Sequence, residues 1–358
     1  MLKARQAVLG LKEYHPPLAG RSGLRLDFNE NTEGCSPRVL ERIRQITAED
    51  LARYPEREPV EKIVAATVGV APEQVLLTNG VDEGIHLLCE TYLQAGDEVV
   101  VVTPTFGMYD VLAAATGARV VSVQCEREFR FPLDAVLKAI NPKTRMVIVA
   151  SPNNPTGTAA TREDILQICR AAPQTAVLVD EAYYEFYGQT VLADIKGTPN
   201  LFVARTFSKA YGLAGLRIGV LVGDPLQMHS VRRVTSPYNV NAVALLALPV
   251  ALNDTDYISN YVRQVQHYRV YLAARLSMLG IHSWPTHANF LLVHIGGRHR
   301  EFVVAMRQRG ILVRDRSSDP GCDGCVRITI GTREQMDKAL AALEAVATEL
   351  GLVKGARV

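Results

Sequence analysis

Val203–Gly219, VARTFSKAYGLAGLRIG, is the stretch around which the rest of the chain can be interpreted. An apolar run leads into a turn of small and hydroxyl-bearing residues that contains one lysine, Lys209, and a second apolar run follows Arg217. A lysine held between packed segments is poorly solvated, which favours its neutral form and lowers its pKa. The sequence therefore predicts an amine nucleophile at Lys209, suited to Schiff-base chemistry with a carbonyl compound or pyridoxal phosphate.

The same turn contains groups that bind phosphate. Thr206 and Ser208 offer hydroxyls, and Arg217 offers a planar cation. Upstream, Gly80 permits a tight turn into a helix predicted over Val81–Gln94, whose N-terminal amides form an anion site. These residues alone leave a second interpretation open, namely an ordinary surface turn with one solvated lysine.

Composition places the chain among ordinary globular enzymes. Its 358 residues, 48% hydrophobic and 21% charged, exceed one typical core. The net charge of +2 gives no basic footprint for nucleic acid. The N-terminus lacks a sustained apolar region and no apolar run is long enough to cross a bilayer, so we expect a cytoplasmic protein without a membrane partner.

The cysteines do not predict a metal site. Of the six, only Cys322 and Cys325 form a CxxC pair, in a loop rich in Gly and Asp. Zinc would need two further ligands at suitable spacing, and a redox pair would be expected at the start of a helix in a βαβ unit.

From Val75 onward, short apolar runs alternate with helical patterns, which is typical of a mainly parallel sheet with crossover helices. Seven runs have this character: VLLT at 75, EVVVVTP at 98, RVVSV at 119, RMVIVASP at 145, TAVLVDE at 175, LFVARTFS at 201 and RIGVLVG at 217. A second α+β unit follows a long helical stretch. We predict an α/β fold with a seven-stranded central sheet in a large domain, 45–250, and a smaller α+β domain built from 1–44 and 251–358.

Chemistry-bearing residues follow the ends of several predicted strands, where ligands bind in open parallel sheets. The groups are TNGVD at 78–82, SPNNPTG at 151–157, DEAY at 180–183 and the lysine turn. Asp180 ends a buried run, where an unpaired carboxylate is costly, and a protonated pyridine nitrogen would be a suitable partner. A helix N-cap is the alternative role for this carboxylate.

The motifs NG-V-D-E, SPNNPTG, VDEAY and TFSK…GLRIG, in this order over nearly the whole chain, resemble those of the fold-type I pyridoxal-phosphate aminotransferases of class I/II. The resemblance implies pyridoxal 5′-phosphate as cofactor, Lys209 as the Schiff-base lysine and Asp180 as the partner of the pyridine nitrogen. Asn154 and Tyr183 would hydrogen-bond the ring hydroxyl, and Tyr109 would stack on the ring.

Further roles follow from the same resemblance. The cofactor phosphate would be held by Thr206, Ser208 and Arg217 together with the backbone of Val81 and Asp82. Tyr54, in RYPER, matches a tyrosine that reaches the cofactor phosphate of the neighbouring subunit. The resemblance therefore implies a homodimer that acts on a small-molecule amino donor and a 2-oxo acid.

The segments LDFNEN, RYPER, NGVDEGIHLL, PTFGMY and SPNNPTG, and above all GILVRDRS followed by GCVRITIGTREQ, are similar to the histidinol-phosphate aminotransferases. In that subfamily the residues matching Arg314 and Tyr14 help to hold the substrate phosphate. Arg327 matches an arginine that serves the phosphate and carboxylate ends of the alternating substrates, and Asn154 adjoins the substrate. The implied reaction converts histidinol phosphate and 2-oxoglutarate to imidazole-acetol phosphate and glutamate.

Two departures from the subfamily pattern keep alternatives open. EYHPP replaces the usual approach to Tyr14, and Thr32 replaces a proline after NEN. An aromatic amino-acid aminotransferase fits these departures, and threonine-phosphate decarboxylases have the same fold and phosphate-binding arginines. A ligand-sensing domain of a transcription regulator would need a basic DNA-binding extension, and none of sufficient size precedes Tyr14.

Overall fold

The computed structural model describes residues 2–13 and 20–353, so the predicted substrate-binding residue Tyr14 lies outside the described part of the chain. The strands are β1 Leu24–Arg25, β2 Val75–Thr78, β3 Glu98–Thr103, β4 Arg119–Gln124, β5 Thr144–Ala150, β6 Ala176–Asp180, β7 Leu201–Thr206, β8 Gly219–Gly223, β9 His282–Ser283, β10 Phe290–His294, β11 Ile311–Leu312, β12 Arg314–Asp315 and β13 Cys325–Thr329.

Helices alternate with these strands. They are α1 Gln6–Leu9, α2 Pro37–Arg44, α3 Ala48–Ala52, α4 Glu58–Val68, α5 Val81–Tyr92, α6 Met108–Ala115, α7 Leu133–Ala139, α8 Arg162–Ala171, α9 Tyr184–Tyr187, α10 Pro225–Val234, α11 Ala242–Asn253, α12 Thr255–Met278, α13 His299–Gln308 and α14 Arg333–Glu349. None of those in the described residues combines the length and apolar composition needed to cross a bilayer.

The predicted central sheet is confirmed. It has seven strands in the order β2-β8-β7-β6-β5-β3-β4, and each matches one of the seven apolar runs. Neighbours from β7 to β4 are parallel, whereas β8 is antiparallel to both β2 and β7. The sheet is thus mainly parallel, as the continuous apolar runs predict.

Both faces of this sheet are covered by helices. Alternate residues of β5 enter different cores, with Val147 and Val149 on one side and Met146 and Ile148 on the other. The first core also contains residues of α4, α8 and α11, and the second contains residues of α5, α6 and α10. Burial on both faces leaves the strand ends as the accessible edge of the sheet.

A second, antiparallel sheet has the order β12-β13-β10-β9 and packs with α12, α13 and α14. The N-terminal part of the chain joins it, because β1 pairs in parallel with β11 and the Thr329 amide donates to the Leu26 carbonyl at 2.9 Å. The segment 26–31, LDFNEN, is thereby fixed beside β13. The domain boundaries at residues 45 and 250 stay a prediction.

Candidate active site

Predicted site residues from six segments of the chain line one cavity of about 250 Å³ at the edge of the large sheet, here called the cofactor cavity. Its walls include the predicted residues Val81, Asp82, Tyr109, Asn154, Asp180, Tyr183, Thr206, Ser208, Lys209 and Arg217. They meet because β2, β5, β6 and β7 end at the same edge, where the antiparallel β8 begins. Gly219 of β8 lies opposite both Thr78 and Thr206.

Lys209 lies at the base of the cofactor cavity. Its Nζ donates a hydrogen bond of 2.9 Å to the Phe28 carbonyl. Burial, reinforced by the positive charges of Arg327 and Arg217, lowers the pKa of Lys209 to about 8. The direction agrees with the sequence-based prediction, and at neutral pH an appreciable fraction of this amine is the neutral nucleophile.

Asp180 ends β6 as a buried carboxylate without a cationic partner in the described residues. Tyr109 donates to its Oδ2 at 2.6 Å, and the Ala182 amide donates to its Oδ1 at 2.9 Å. Burial raises the pKa of Asp180 to about 6. A carboxylate held in this way is suited to a protonated ring nitrogen placed in the cavity, which would restore its charged form.

Tyr183 and Asn154 lie on the side of the cofactor cavity that faces the smaller domain. Asn29 Nδ2 donates to the Tyr183 hydroxyl oxygen at 2.9 Å, which leaves the phenol proton free to point elsewhere. Asn154 Oδ1 accepts a hydrogen bond from Arg327. The two predicted ring-hydroxyl partners are therefore each tied to a residue outside the large sheet.

The opposite end of the cavity has the features of a phosphate site. Helix α5 begins at Val81, its N-cap Gly80 supplies no side-chain cap to the first amides, and Val81 and Asp82 line the cavity. A Cβ on Gly80, which has φ +76°, would lie 2.5 Å from a terminal nitrogen of Arg217. Arg217 itself adopts a left-handed φ of 52° and pairs with Asp82 at 3.1 Å.

An unpartnered hydroxyl completes this end of the cavity. Ser208 Oγ is buried and has no hydrogen-bond partner in the described residues, and the nearby Thr206 hydroxyl accepts from the Ser208 amide at 3.1 Å. A buried orphan donor, free helix amides and a guanidinium around one space fit the phosphate of pyridoxal phosphate. The residues present therefore fit the cofactor implied by the sequence.

Tyr54 does not line this cavity in its own chain. It is 76% exposed and stacks on Tyr238, with ring centroids 4.2 Å apart. Its role toward a neighbouring subunit stays a prediction.

A second cavity of about 210 Å³ adjoins the first and is here called the anion pocket. It shares Phe28, Phe106, Asn154, Tyr183 and Lys209 with the cofactor cavity and adds Asn29, Thr105, Gly107, Arg314, Arg316, Asp319 and Arg327. The structure thus brings both predicted substrate arginines within one pocket beside the lysine.

Arg314 and Arg327 are directly opposite each other in the β12–β13 pairing. Arg327 is only 5% exposed and binds neutral acceptors, the Asp27 carbonyl at 2.7 Å and Asn154 Oδ1. Burial lowers the pKa of Arg327 to about 10, so it is charged at neutral pH. Like charges on directly opposed residues are destabilising, and this pair is explained if an anion binds between or beside them.

Sequence reasoning named no site residue in segment 26–31 or in the turn after β12. Phe28 lines both cavities, Glu30 lines the cofactor cavity, and Arg316 and Asp319 line the anion pocket. The motifs LDFNEN and RDRS had been recognised as similarities, but the contacts they make span up to about three hundred residues of sequence, as between Asp27 and Arg327.

The CxxC pair lies apart from the two cavities. Cys322 and Cys325 are free, buried thiols at the base of the turn between β12 and β13. In the residues that the structure describes, no cluster of three or more His, Cys, Asp or Glu side chains is arranged to hold a metal ion.

Comparison with known proteins places these features in context. A family model described as aminotransferase class I and II matches residues 21–343. The chain is 35% identical over 361 residues to a histidinol-phosphate aminotransferase of Moorella thermoacetica, covering 96% of this chain and 93% of the relative. It is 37% identical over 366 residues to a histidinol-phosphate aminotransferase of Roseiflexus castenholzii, covering 96% and 98%.

A solved structure agrees with the fold over almost the whole length. The crystal structure of histidinol-phosphate aminotransferase from Sinorhizobium meliloti in complex with pyridoxal-5′-phosphate superposes with a TM-score of 0.90 at 26% identity. The match covers 98% of this chain and 99% of the other.

Proposed function

This chain belongs to the class I and II aminotransferase family, and on that premise we propose that it uses pyridoxal 5′-phosphate to transfer an amino group from histidinol phosphate to 2-oxoglutarate. The observation that carries the choice of substrate is the pair of opposed arginines, Arg314 and Arg327, beside Lys209. Both proposed amino acceptor and donor have an anionic end, which planar guanidiniums bind in bidentate fashion. Similarity to relatives with this name over 96% of the chain supports the same choice.

The cofactor, when bound, accepts electrons from the substrate's α-carbon as a proton leaves it. Lys209 is the residue placed to move that proton, because its amine lies where the cofactor cavity and the anion pocket meet. Its pKa of about 8 allows it both to take up and to release a proton near neutral pH. The Phe28 carbonyl fixes the position of Nζ from the side of the smaller domain.

Asp180 and Tyr183 are the residues that would hold the polar groups of the cofactor ring in this proposal. Asp180 keeps a ring nitrogen protonated by supplying a carboxylate that Tyr109 and the Ala182 amide orient. Tyr183 would donate a hydrogen bond from its phenol to the ring oxygen, while its own oxygen accepts from Asn29. Burial of these groups excludes water and strengthens both contacts.

We further propose that the enzyme is a cytoplasmic homodimer, in which Tyr54 reaches the cofactor phosphate bound by the partner subunit. The exposure of Tyr54 and its stacking on Tyr238 support a surface that a second copy covers.

The test is a single-turnover half-reaction. The loaded enzyme is mixed with histidinol phosphate and, separately, with phenylalanine, and loss of the absorbance band of the lysine-bound cofactor is followed. We expect histidinol phosphate to react at least about 100-fold more efficiently, because two charge-assisted contacts to its phosphate contribute roughly tenfold or more each.

The opposite ranking would refute this proposal. If phenylalanine converted the cofactor efficiently and histidinol phosphate did so slowly, the protein would be an aromatic amino-acid aminotransferase. The phenyl ring of the substrate would then lie against Phe28 and Phe106. Release of carbon dioxide from threonine phosphate without amino transfer would instead identify a decarboxylase.

A further inference from the structure

The anion pocket contains a third arginine that the family resemblance does not account for. Arg316 follows β12 directly and continues its alternation of side chains, so that both Arg314 and Arg316 line the pocket. The intervening Asp315 points to the other face, where its carboxylate lies 3.1 Å from His299 Nδ1. The Arg316 amide continues the strand pairing by donating to the Cys325 carbonyl at 2.9 Å.

Arg316 is held by a carboxylate in its own turn. A terminal nitrogen of Arg316 forms an ion pair with Asp319, and the two side chains are 14% and 20% exposed. The Nε of Arg316 is buried and has no hydrogen-bond partner in the described residues. A guanidinium has five donors in a rigid fork, so Asp319 occupies one part of the fork and leaves the Nε side free for a ligand.

A second unpartnered donor belongs to Arg327, which lines the same pocket. The side chain is buried, since Arg327 is only 5% exposed, and its Nε has no hydrogen-bond partner among the described residues. Apart from Lys209, three guanidiniums and one carboxylate line this pocket, so its cationic charge exceeds its anionic charge by two. Apart from its ion pair with Arg316, one oxygen of Asp319 is also buried without a hydrogen-bond partner in the described residues. Two orphan donors and this charge excess outweigh it and suit a dianion better than a single carboxylate.

We propose that Arg316, oriented by Asp319, is a third anion-binding arginine that makes the site select amino donors with a dianionic end. This inference rests on the proposed function, because histidinol phosphate has such an end and phenylalanine does not. Arg316 contacts the ligand directly, whereas Asp319 is a positioning residue that acts through Arg316.

The first test replaces Arg316 by glutamine in the loaded enzyme. We expect Arg316→Gln to raise KM for histidinol phosphate by about tenfold or more, with a smaller change in kcat and less than about a twofold change for phenylalanine. Arg127→Gln is the matched control, because Arg127 is 91% exposed and lies outside the pocket, and it should leave all constants unchanged. Equal losses for both donors, or no loss for histidinol phosphate, would overturn the assignment.

The second test asks whether Asp319 acts by orienting Arg316 or only through its negative charge. Asp319→Asn makes the pocket more positive, so an effect of charge alone would tighten dianion binding. If Asp319 positions Arg316, binding instead weakens several-fold, and the double variant with Arg316→Gln is no weaker than Arg316→Gln alone. Tighter binding by Asp319→Asn, or additive losses, would refute the positioning role.

Inorganic phosphate distinguishes failure of this inference from failure of the proposed function. At pH 8, where phosphate is mainly dianionic, it should inhibit the loaded wild-type enzyme by competition with the amino donor, and about tenfold more weakly in Arg316→Gln. This result would support anion binding by Arg316 even if wild type converts only phenylalanine, an outcome that would refute the proposed function and, with it, the selection of dianionic donors. Equal inhibition of wild type and Arg316→Gln would overturn the inference whatever the donor.

Discussion

The cofactor cavity and the anion pocket share a wall but differ in how their polar groups are satisfied. In the cofactor cavity, Asp180 accepts from Tyr109, and Tyr183 accepts from Asn29. In the anion pocket, the Arg314 side chain has no hydrogen bond among the described residues; its guanidinium carbon lies 5.3 Å from the centre of the Phe28 ring, and its charge acts on Asp319. Asp180 and Tyr183 are preorganised by their own chain, whereas the anion pocket is left with an excess of positive charge that a ligand would balance.

This difference suits the two kinds of ligand. A cofactor that stays bound benefits from fixed partners, because the chain need not reorganise during each reaction. Substrates of two different shapes must enter and leave the anion pocket in turn, and arginine forks can bind either a phosphate or a carboxylate. The predictions below test whether the two regions can be altered independently.

The largest effect is expected from Lys209→Ala. Loss of the amine removes the covalent attachment and the proton-moving group, so turnover should fall by at least about 10³-fold and the band of the lysine-bound cofactor should disappear. Circular dichroism should be unchanged, and 2-oxoglutarate should still bind the anion pocket, because Arg314 and Arg327 remain in place. The exposed Lys143→Ala serves as control. An active, yellow Lys209→Ala protein would contradict the site assignment.

A pH series should distinguish the two regions, because the rate of cofactor uptake should change about tenfold per pH unit while the affinity for 2-oxoglutarate should not change. Burial lowers the pKa of Lys209 to about 8, so the neutral, attacking amine grows with pH below that value and levels off above it. The rate at which cofactor-free enzyme takes up pyridoxal phosphate should therefore rise about tenfold per unit below pH 8 and then plateau.

Binding of 2-oxoglutarate in the anion pocket serves as the control for this pH series. Arg327 keeps its charge up to its pKa of about 10, so the affinity of the loaded enzyme for 2-oxoglutarate should stay flat between pH 7 and 9. An uptake profile that is flat, or that has its midpoint near the ordinary lysine value, would contradict the role of burial at Lys209.

The smallest effect is expected at Asn29, which touches both regions. Its side-chain amide donates to the Tyr183 hydroxyl, and its backbone N–H donates to the Thr329 hydroxyl at 3.0 Å. Asn29→Gly removes the side chain while tolerating the left-handed φ of 55°, so about fivefold losses in both cofactor retention and 2-oxoglutarate affinity are expected. The exposed Asn253→Gly is the matched control. A loss confined to one region would show that the shared wall does not couple them.

Much of the large sheet and of the cofactor cavity could be predicted from the sequence. Each of the seven apolar runs forms a strand of the central sheet. Helix boundaries shifted slightly, as with the helix expected to reach Gln94, which ends at Tyr92. These features depend on local periodicity and on the rule that parallel strands end at one edge, and both can be applied without coordinates.

The anion pocket could be predicted only in part. Arg314 and Arg327 were found by resemblance, but Arg316 and Asp319 were not, because nothing in the letters RDRSSDP shows which side chains face inward. That depends on the register between β12 and β13, which places Arg314 opposite Arg327. A shift of one residue would turn Arg316 away and bring Asp315 in.

The sequence by itself therefore determined the order of strands and helices along the chain and predicted the residues that line the cofactor cavity, because each of those residues belongs to a short motif at a strand end. Only the tertiary structure decided how segment 26–31 closes the site. The Phe28 carbonyl receives Lys209, and the Asp27 carbonyl receives Arg327. Backbone carbonyls carry no residue-specific signal, so contacts across such sequence distances become visible only when the chain has folded.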